Sequence, residues 1–315
     1  MLSAPIQLST VRRLFATPER LQGSQFLRRE IANRMREKLE LVKIEAHAVL
    51  DAGCGDGIDL PLLGTRFPQA QIFGLDASWS ALRSGAQAQS GARQGLRRML
   101  GQWLVDGVLG KSGSSALSLS NSNAHLICGN FAQPSLKKNS LDVLWSNLAL
   151  HWHPQPDLVL AEWMELLRVN GLVMFSSFGP DTMIELRQAF SKIDDFPHTL
   201  PFVDMHDLGD MLVQAGFATP VMDVERITLR YQDVKQLFAD VRALGGNPLS
   251  TRRPGLLGRN DHAKLVAELE KTRGADGRIA LSFEIVFGHA FKPQPSKLAT
   301  GESIIRFDFP KRNEK

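Results

Sequence analysis

The sequence predicts an α/β fold, a mostly parallel sheet with helices on both faces and a helical lid near its end. Apolar runs at Ala48 to Asp51, Gln71 to Asp76, Ala124 to Cys128, Leu141 to Ser146 and Leu172 to Phe178 are near-continuously hydrophobic, as strands buried on both faces must be. Helical patterns separate these runs, which favours parallel crossovers. The first run opens into a glycine-rich turn, "DAGCGDG", of the kind that starts a ligand-binding α/β domain.

In chain order, Leu27, Ile31, Met35 and Leu39 recur every four residues, so a helix with one apolar stripe precedes the first strand. Further helices are expected after the glycine turn, from Trp79, and from Asp157 to Leu167. The segment Gly85 to Asn123 is rich in Gly, Ser and Gln and longer than an ordinary connection; it reads as an insertion with a helix around Leu96 to Val108 followed by a loop. Between Gln232 and Gly277 two helical patterns, "DVKQLFADVRAL" and "DHAKLVAELEKT", are joined by a Pro/Gly/Arg-rich stretch and flanked by strand-like "VMDVERITLRY" and "IALSFEIVFGHAFK", which describes a lid inserted between the last two strands. The expected division is an N-terminal helical segment over 1–47, a core over 48–231 carrying the insertion 85–123, a lid over 232–277, and a final strand and tail over 278–315.

Composition bounds the partners. The 315 residues are 43% hydrophobic and 22% charged, ordinary globular values, and no apolar run approaches the roughly 18 residues that span a bilayer. The start has no long apolar stretch and no small-residue cleavage pattern, and two cysteines, Cys54 and Cys128, are too few for a disulfide framework or a zinc cluster, so the cytoplasm is expected. The net charge of +4 is unevenly placed. Val11 to Lys43 holds nine Lys/Arg against four Glu, and Arg226 to Arg273 ten against five acids. Such basic segments suit an acidic partner as well as they suit solvated helix faces; with few aromatics to stack on bases, they do not favour nucleic acid.

The turn selects its ligand by what it lacks. A dinucleotide fingerprint needs a third glycine where Ile58 stands. Asp51-x-Gly53-x-Gly55-x-Gly57 instead offers backbone N–H groups beside a carboxylate, which attracts an ammonium and repels a pyrophosphate. Asp76 closes the next strand nineteen residues after Gly57, where an acid accepts two ribose hydroxyls. At the third strand end, Asn130 is placed for an adenine edge and Phe131 for its face. Groups for amine, ribose and base at three successive strand ends point to S-adenosyl-L-methionine.

With these motifs the chain resembles the class I, Rossmann-like adenosylmethionine-dependent methyltransferases over roughly Ala48 to Phe178, on "VLDAGCGDG", "GLDAS", "GNFAQ" and "LDVLWSNLALHW". The resemblance implies a seven-stranded sheet with its last strand antiparallel, and it places Ala77 beside the ribose and Asn147 and Leu148 at the methionine end of the cofactor. The family's usual aspartate is replaced by Asn130. Longer strings, "VRRLFATPERLQGSQFLRREIANRM", "SSFGPDTMIELRQAF", "HDLGDMLVQAGFATPVMDVERITLRY", "DVRALGGN" and "FEIVFGHAFKP", look like the malonyl-acyl-carrier-protein O-methyltransferases of biotin synthesis; mitochondrial complex I assembly factors share some of them. A paralogue with another acceptor, or a cofactor-binding assembly protein, is the alternative.

That resemblance implies esterification of the free carboxylate of a malonyl thioester on an acyl carrier protein. A carboxylate with a pKa of about 4 is already ionised at neutral pH, so in-line attack on the methyl group needs no general base. No Ser-His-Asp order, metal-spaced set or acid pair stands out. The acceptor does need a cation. Arg187 and Arg242 are the candidates, and Arg29 is a third that would instead meet the cofactor carboxylate; each has an ion-pair or surface role as its plain alternative. His151, after the fourth strand, either hydrogen-bonds the acceptor or packs beside Trp152. One departure stands out: where these enzymes carry a tyrosine-aspartate pair on the segment that closes over the substrate, this chain has Leu21-Gln22, and its only tyrosine is Tyr231.

Overall fold

The structure is a computed structural model that describes residues 4–17, 23–87 and 124–295. Leu21-Gln22, the expected helix at Leu96 to Val108 with most of its insertion, and the tail from 296 lie outside the described residues. Seven strands form one sheet: β1 (Ala48–Ala52), β2 (Gln71–Asp76), β3 (Ala124–Cys128), β4 (Leu141–Asn147), β5 (Leu167–Phe178), β6 (Ala218–Tyr231) and β7 (Ile279–Phe291). Their order is β3-β2-β1-β4-β5-β7-β6, and only β7 runs antiparallel to its neighbours. The first strand therefore lies between β2 and β4, and the chain leaves its two sides in opposite directions. This switch point opens a crevice at the carboxyl ends of β1 and β4, where open α/β sheets bind ligands.

The strands bury both faces by their period of two. On β4, Val143 and Trp145 enter one core layer and Leu144 the other. The first layer receives the stripe Leu27, Ile31, Met35 and Leu39 of the N-terminal helix α2 (Gln25–Glu40), and the second receives Val159, Leu160 and Trp163 of α4 (Pro156–Leu166). Helix α3 (Leu60–Arg66) follows the glycine turn, and a further helix begins at 79. β5 starts five residues earlier than its apolar run suggests. The Asn170-Gly171 pair interrupts that run, but Asn170 at φ 64° is absorbed as an irregularity in the β4/β5 ladder instead of ending it.

Helices α5 (Ile184–Phe190) and α6 (Met205–Gln214) lie between β5 and β6, and the lid consists of α7 (Val234–Ala243) and α8 (Arg259–Glu270) between β6 and β7. Leu237, Leu265 and Leu269 anchor the lid in the first core layer with Ile279. The N-terminal α1 (Leu8–Phe15) is clamped at both ends. Its approach pairs with the lid loop through Gln7 N–H to Pro248 O at 3.1 Å and Ser250 N–H to Pro5 O at 2.8 Å. Its far end accepts hydrogen bonds from Ser78 Oγ to Phe15 O at 3.0 Å and from Ser80 Oγ to Ala16 O at 2.7 Å. It thus crosses above the carboxyl edge of the sheet.

Gly288 on β7 lets the Phe175 ring of β5 lie over the strand; a Cβ there would collide with the ring and reach 3.1 Å from Met222 Sδ. Gly288→Val is expected to cost about 1–3 kcal/mol through overpacking, and more if β7 shifts. Chemical denaturation checks this, with an unchanged midpoint counting against the packing described.

Candidate functional site: a cofactor cleft and an adjoining aromatic cavity

The glycine turn is shaped by its neighbours. Gly53, Gly55 and Gly57 have φ of 80°, 58° and 70°, in the left-handed region. The N–H groups of Gly53 and Cys54 both donate to Leu75 O, at 2.8 and 3.1 Å, which ties the turn to β2. A Cβ on Gly53 would collide with the Ala149 methyl. Asp76 spans the floor, accepting from Gly55 N–H at 2.9 Å and Ser78 N–H at 2.7 Å. Asp59, just before α3, accepts from Trp145 Nε1 and Asn147 Nδ2 at 3.0 Å each, and Asn147 Oδ1 accepts from Ser176 Oγ at 2.8 Å.

These groups surround a cleft of about 730 Å³. Three carboxylates face it, and burial raises the pKa of each. For Asp51, 2% exposed, the nearby charges of Asp59 and Asp76 add to burial, and Arg28 opposes both. For Asp59 and Asp76 the hydrogen bonds just described partly offset burial. Asp51 alone has no hydrogen-bond donor among the described residues. The one guanidinium close to all three, Arg28, is shared with Asp56 at 2.9 Å. Such a site repels phosphates and favours a ligand that brings positive charge. S-adenosyl-L-methionine, with its sulfonium and ammonium, fits: Asp51 is free to face the cation, Asp76 to accept from the ribose hydroxyls with its remaining lone pairs, and Phe131 to cover the base.

Of the sequence candidates, Asp51, Gly53, Gly55, Asp76, Ala77, Phe131, Asn147 and Leu148 line the cleft. Leu148 does so at φ 53°, held by Ser176. Gly57 does not; it closes the turn by donating to Cys54 O at 2.9 Å. Asn130 is a correction. Its Oδ1 accepts from Ala132 N–H at 3.1 Å, so it holds the turn that presents Phe131 and does not itself line the cleft. Arg29 is another. It lies two residues past Leu27, on the side of α2 opposite the buried stripe, and is exposed; Arg28 is the residue at the cleft. The stripe itself carried that signal, since successive helix residues are turned by about 100°. Asp59 was also missed, although an Asp before "LPLL" is a helix-start pattern. So was the contribution of Val11, Arg12 and Phe15 from α1, which only the tertiary path brings over the cleft.

A second cavity, of about 1000 Å³, meets the cleft at Trp152. Phe178, Phe190, Phe202 and Phe238 make its walls, with His198 and Arg242 among its few polar groups. His198 stacks on Phe190 with ring centroids 3.6 Å apart and hydrogen-bonds Asp194 at 2.8 Å. The Arg242 guanidinium makes no ion pair or hydrogen bond among the described residues. Arg187 is a correction: its guanidinium donates to the backbone carbonyls of Thr182, at 2.7 Å, and Pro180, so it braces the end of β5 and lines neither cavity. For His151 the structure favours the second of the two expectations, packing beside Trp152. It lies 5.0 Å from Trp152 and 4.9 Å from Phe178, lines neither of the two cavities, and burial pushes its pKa down to about 3, which keeps it neutral.

Residues 50–175 match the profile described as "Methyltransferase domain". The malonyl-[acyl-carrier protein] O-methyltransferase of Laribacter hongkongensis is 43% identical over 286 residues, 89% of each chain. The chain belongs to the malonyl-acyl-carrier-protein O-methyltransferase family. A second member, from Gallionella capsiferriformans, is 38% identical over 92% of each chain. A solved structure of a putative methyltransferase from Bacillus halodurans C-125, 12% identical, covers 82% of this chain and 97% of its own with a TM-score of 0.52, which agrees with the class I methyltransferase fold. The methyltransferase is therefore adenosylmethionine-dependent. No helix among its described residues is long and apolar enough to cross a membrane.

Asp51→Asn separates the two effects of the buried carboxylate. It is expected to raise the thermal stability of the ligand-free enzyme by removing an unpartnered buried charge, and to weaken adenosylmethionine binding by roughly 10- to 100-fold. The wild-type affinity falls as pH drops through the raised Asp51 pKa, because protonation removes the charge facing the cation. In the ligand-free enzyme the sign is reversed: the native state holds this proton more tightly than the unfolded chain, so stability declines as pH rises through the same window. Calorimetric titration across pH tests both. A pH dependence that persists in the variant assigns it elsewhere.

Proposed function

We propose that the protein transfers the methyl group of adenosylmethionine to the free carboxylate of a malonyl thioester borne by an acyl carrier protein, in the cytoplasm, as a step of biotin synthesis. The family membership supports the reading, and the observation that carries it is the aromatic cavity that shares its Trp152 wall with the cofactor cleft and bears an arginine, Arg242, whose guanidinium has no ion pair among the described residues. The bound cofactor supplies an electrophilic methyl group on a sulfonium. Asp51 holds the cofactor's charge, Asn147 and Leu148 line the cleft, and Gly53 admits it by close approach. Arg242 draws the anionic acceptor into an otherwise apolar cavity. The aromatic walls strip water from the acceptor carboxylate, which sharpens it as a nucleophile once it is held in line.

No protein base is required, because the acceptor arrives ionised. This agrees with the neutral, sequestered state of His151. The purified enzyme with labelled adenosylmethionine and malonyl carrier protein is expected to give a base-labile methyl ester. Cofactor binding without ester on this acceptor overturns the reading, and labelling of another acid from an acceptor panel replaces it. Arg242→Ala should raise the acceptor KM by about tenfold or more and leave cofactor affinity unchanged, as loss of a charge-assisted contact to the acceptor alone requires.

A further inference from the structure

We propose that the groove between α7 and α8 is the entrance for the phosphopantetheine arm of the carrier protein, its phosphate held outside by Lys235 and His262 and its acyl end delivered inward past Arg242 toward Trp152. The proposal rests on the reading above that the acceptor is carrier-borne, and adds where it enters and which group is recognised.

Beyond the aromatic cavity, between the two lid helices, lies an outer hollow of about 770 Å³, and the two spaces are separated only by side chains that line both, Phe238, Arg242 and His262. The groove is formed by facing helical ladders, Phe238 and Arg242 four residues apart on α7 and His262 and Val266 four apart on α8. Its floor is apolar and its rim basic. That sequence of surfaces suits an arm with a phosphate at one end and a long uncharged stem.

The rim charges are unspent. Some of the basic side chains elsewhere are neutralised within the protein: Arg34 and Lys38 pair with Glu225, and Arg253 pairs with Asp194 and Asp261. Lys235 and Arg242 have no such partner among the described residues. Glu270, the one acid lining the outer hollow, is held by Arg273 at 2.6 Å. A rival opening lies on the other side of Phe190 and His198, but it carries the wrong charge. The exposed Asp195 lines it, Asp194 there is already paired with Arg253 and His198, and the guanidinium of its arginine, Arg187, is committed to backbone carbonyls. Electrostatics therefore direct an anionic arm to the lid groove.

The test uses the full-length enzyme and two probes, pantetheine 4′-phosphate and pantetheine, titrated calorimetrically, with kcat/KM measured for their malonyl thioesters. The wild type is expected to prefer the phosphorylated probe by about tenfold. Lys235→Glu combined with His262→Glu should abolish that preference and leave pantetheine and adenosylmethionine affinity within about twofold, which also certifies the fold. Asp195→Lys at the rival opening should leave the preference intact. Equal affinity for the two probes in the wild type, a preference that survives the double reversal, or one that responds only to Asp195→Lys overturns the proposal. Phosphate-dependent binding without any methyl ester would instead overturn the assigned reaction and leave the entrance standing.

Discussion

Everything at the carboxyl edge of the sheet is arranged around three buried carboxylates. Asp51, Asp59 and Asp76 face one cleft, and burial raises the pKa of all three while Arg28 opposes them only in part. The three are not equivalent. Asp59 accepts from Trp145 and Asn147, and so fixes β4 against the start of α3; Asp76 accepts from two backbone N–H groups, and so fixes the glycine turn against β2 with lone pairs to spare. Asp51 is left with charge and no donor. A fold that keeps such a group retains a local cost, and the cost is relieved when a cation arrives. Ligand selectivity and native-state strain are thus the same feature seen with and without cofactor.

The covering of the cleft follows a second constraint, the exclusion of water from the reacting groups. α1 is tied at one end to the lid loop and at the other to Ser78 and Ser80, so the two elements that roof the cleft are mechanically linked. Trp152, wedged against Phe15 at 5.1 Å, is the wall common to both cavities. Gly245, at φ 120°, packs onto the Trp152 indole so closely that a Cβ there would lie 2.6 Å from the ring. The lid hinge, the N-terminal helix and the partition between donor and acceptor therefore meet at one indole.

How far the sequence revealed this depended on whether a role was local. The glycine turn, Asp51 and Asp76 were legible because a strand end and a tight turn set their geometry within a few residues. The lid was legible from two helical patterns between two strands, and its place beside the cleft was not. Two of the misread residues share a cause. Asn130 and Arg187 are polar groups at plausible positions whose hydrogen-bonding capacity goes to nearby backbone, which a one-dimensional reading does not register. Arg29 failed on phase, one residue from the arginine that lines the cleft, on a helix whose buried stripe was already visible. His151 was open between two roles, and depth decides for packing: it follows β4 as expected and is buried against Trp152.

The two cavities also sort charge. The cofactor cleft is negative and accepts a cation; the cavity beyond Trp152 is apolar with a positive rim and accepts an anion. Each compartment rejects the other's ligand, so donor and acceptor are kept in register without a shared binding residue. Methyl transfer to a carboxylate then has a built-in consequence. The new C–O bond cancels the acceptor's negative charge, and the electron pair of the broken C–S bond cancels the sulfonium's positive charge. In the reading proposed above, Arg242 thereby loses the charge it held, and the charge that the cofactor cleft attracts falls by one. The electrostatic asymmetry that brings the reactants together weakens once they have reacted, which favours release of both products over rebinding in the reverse sense.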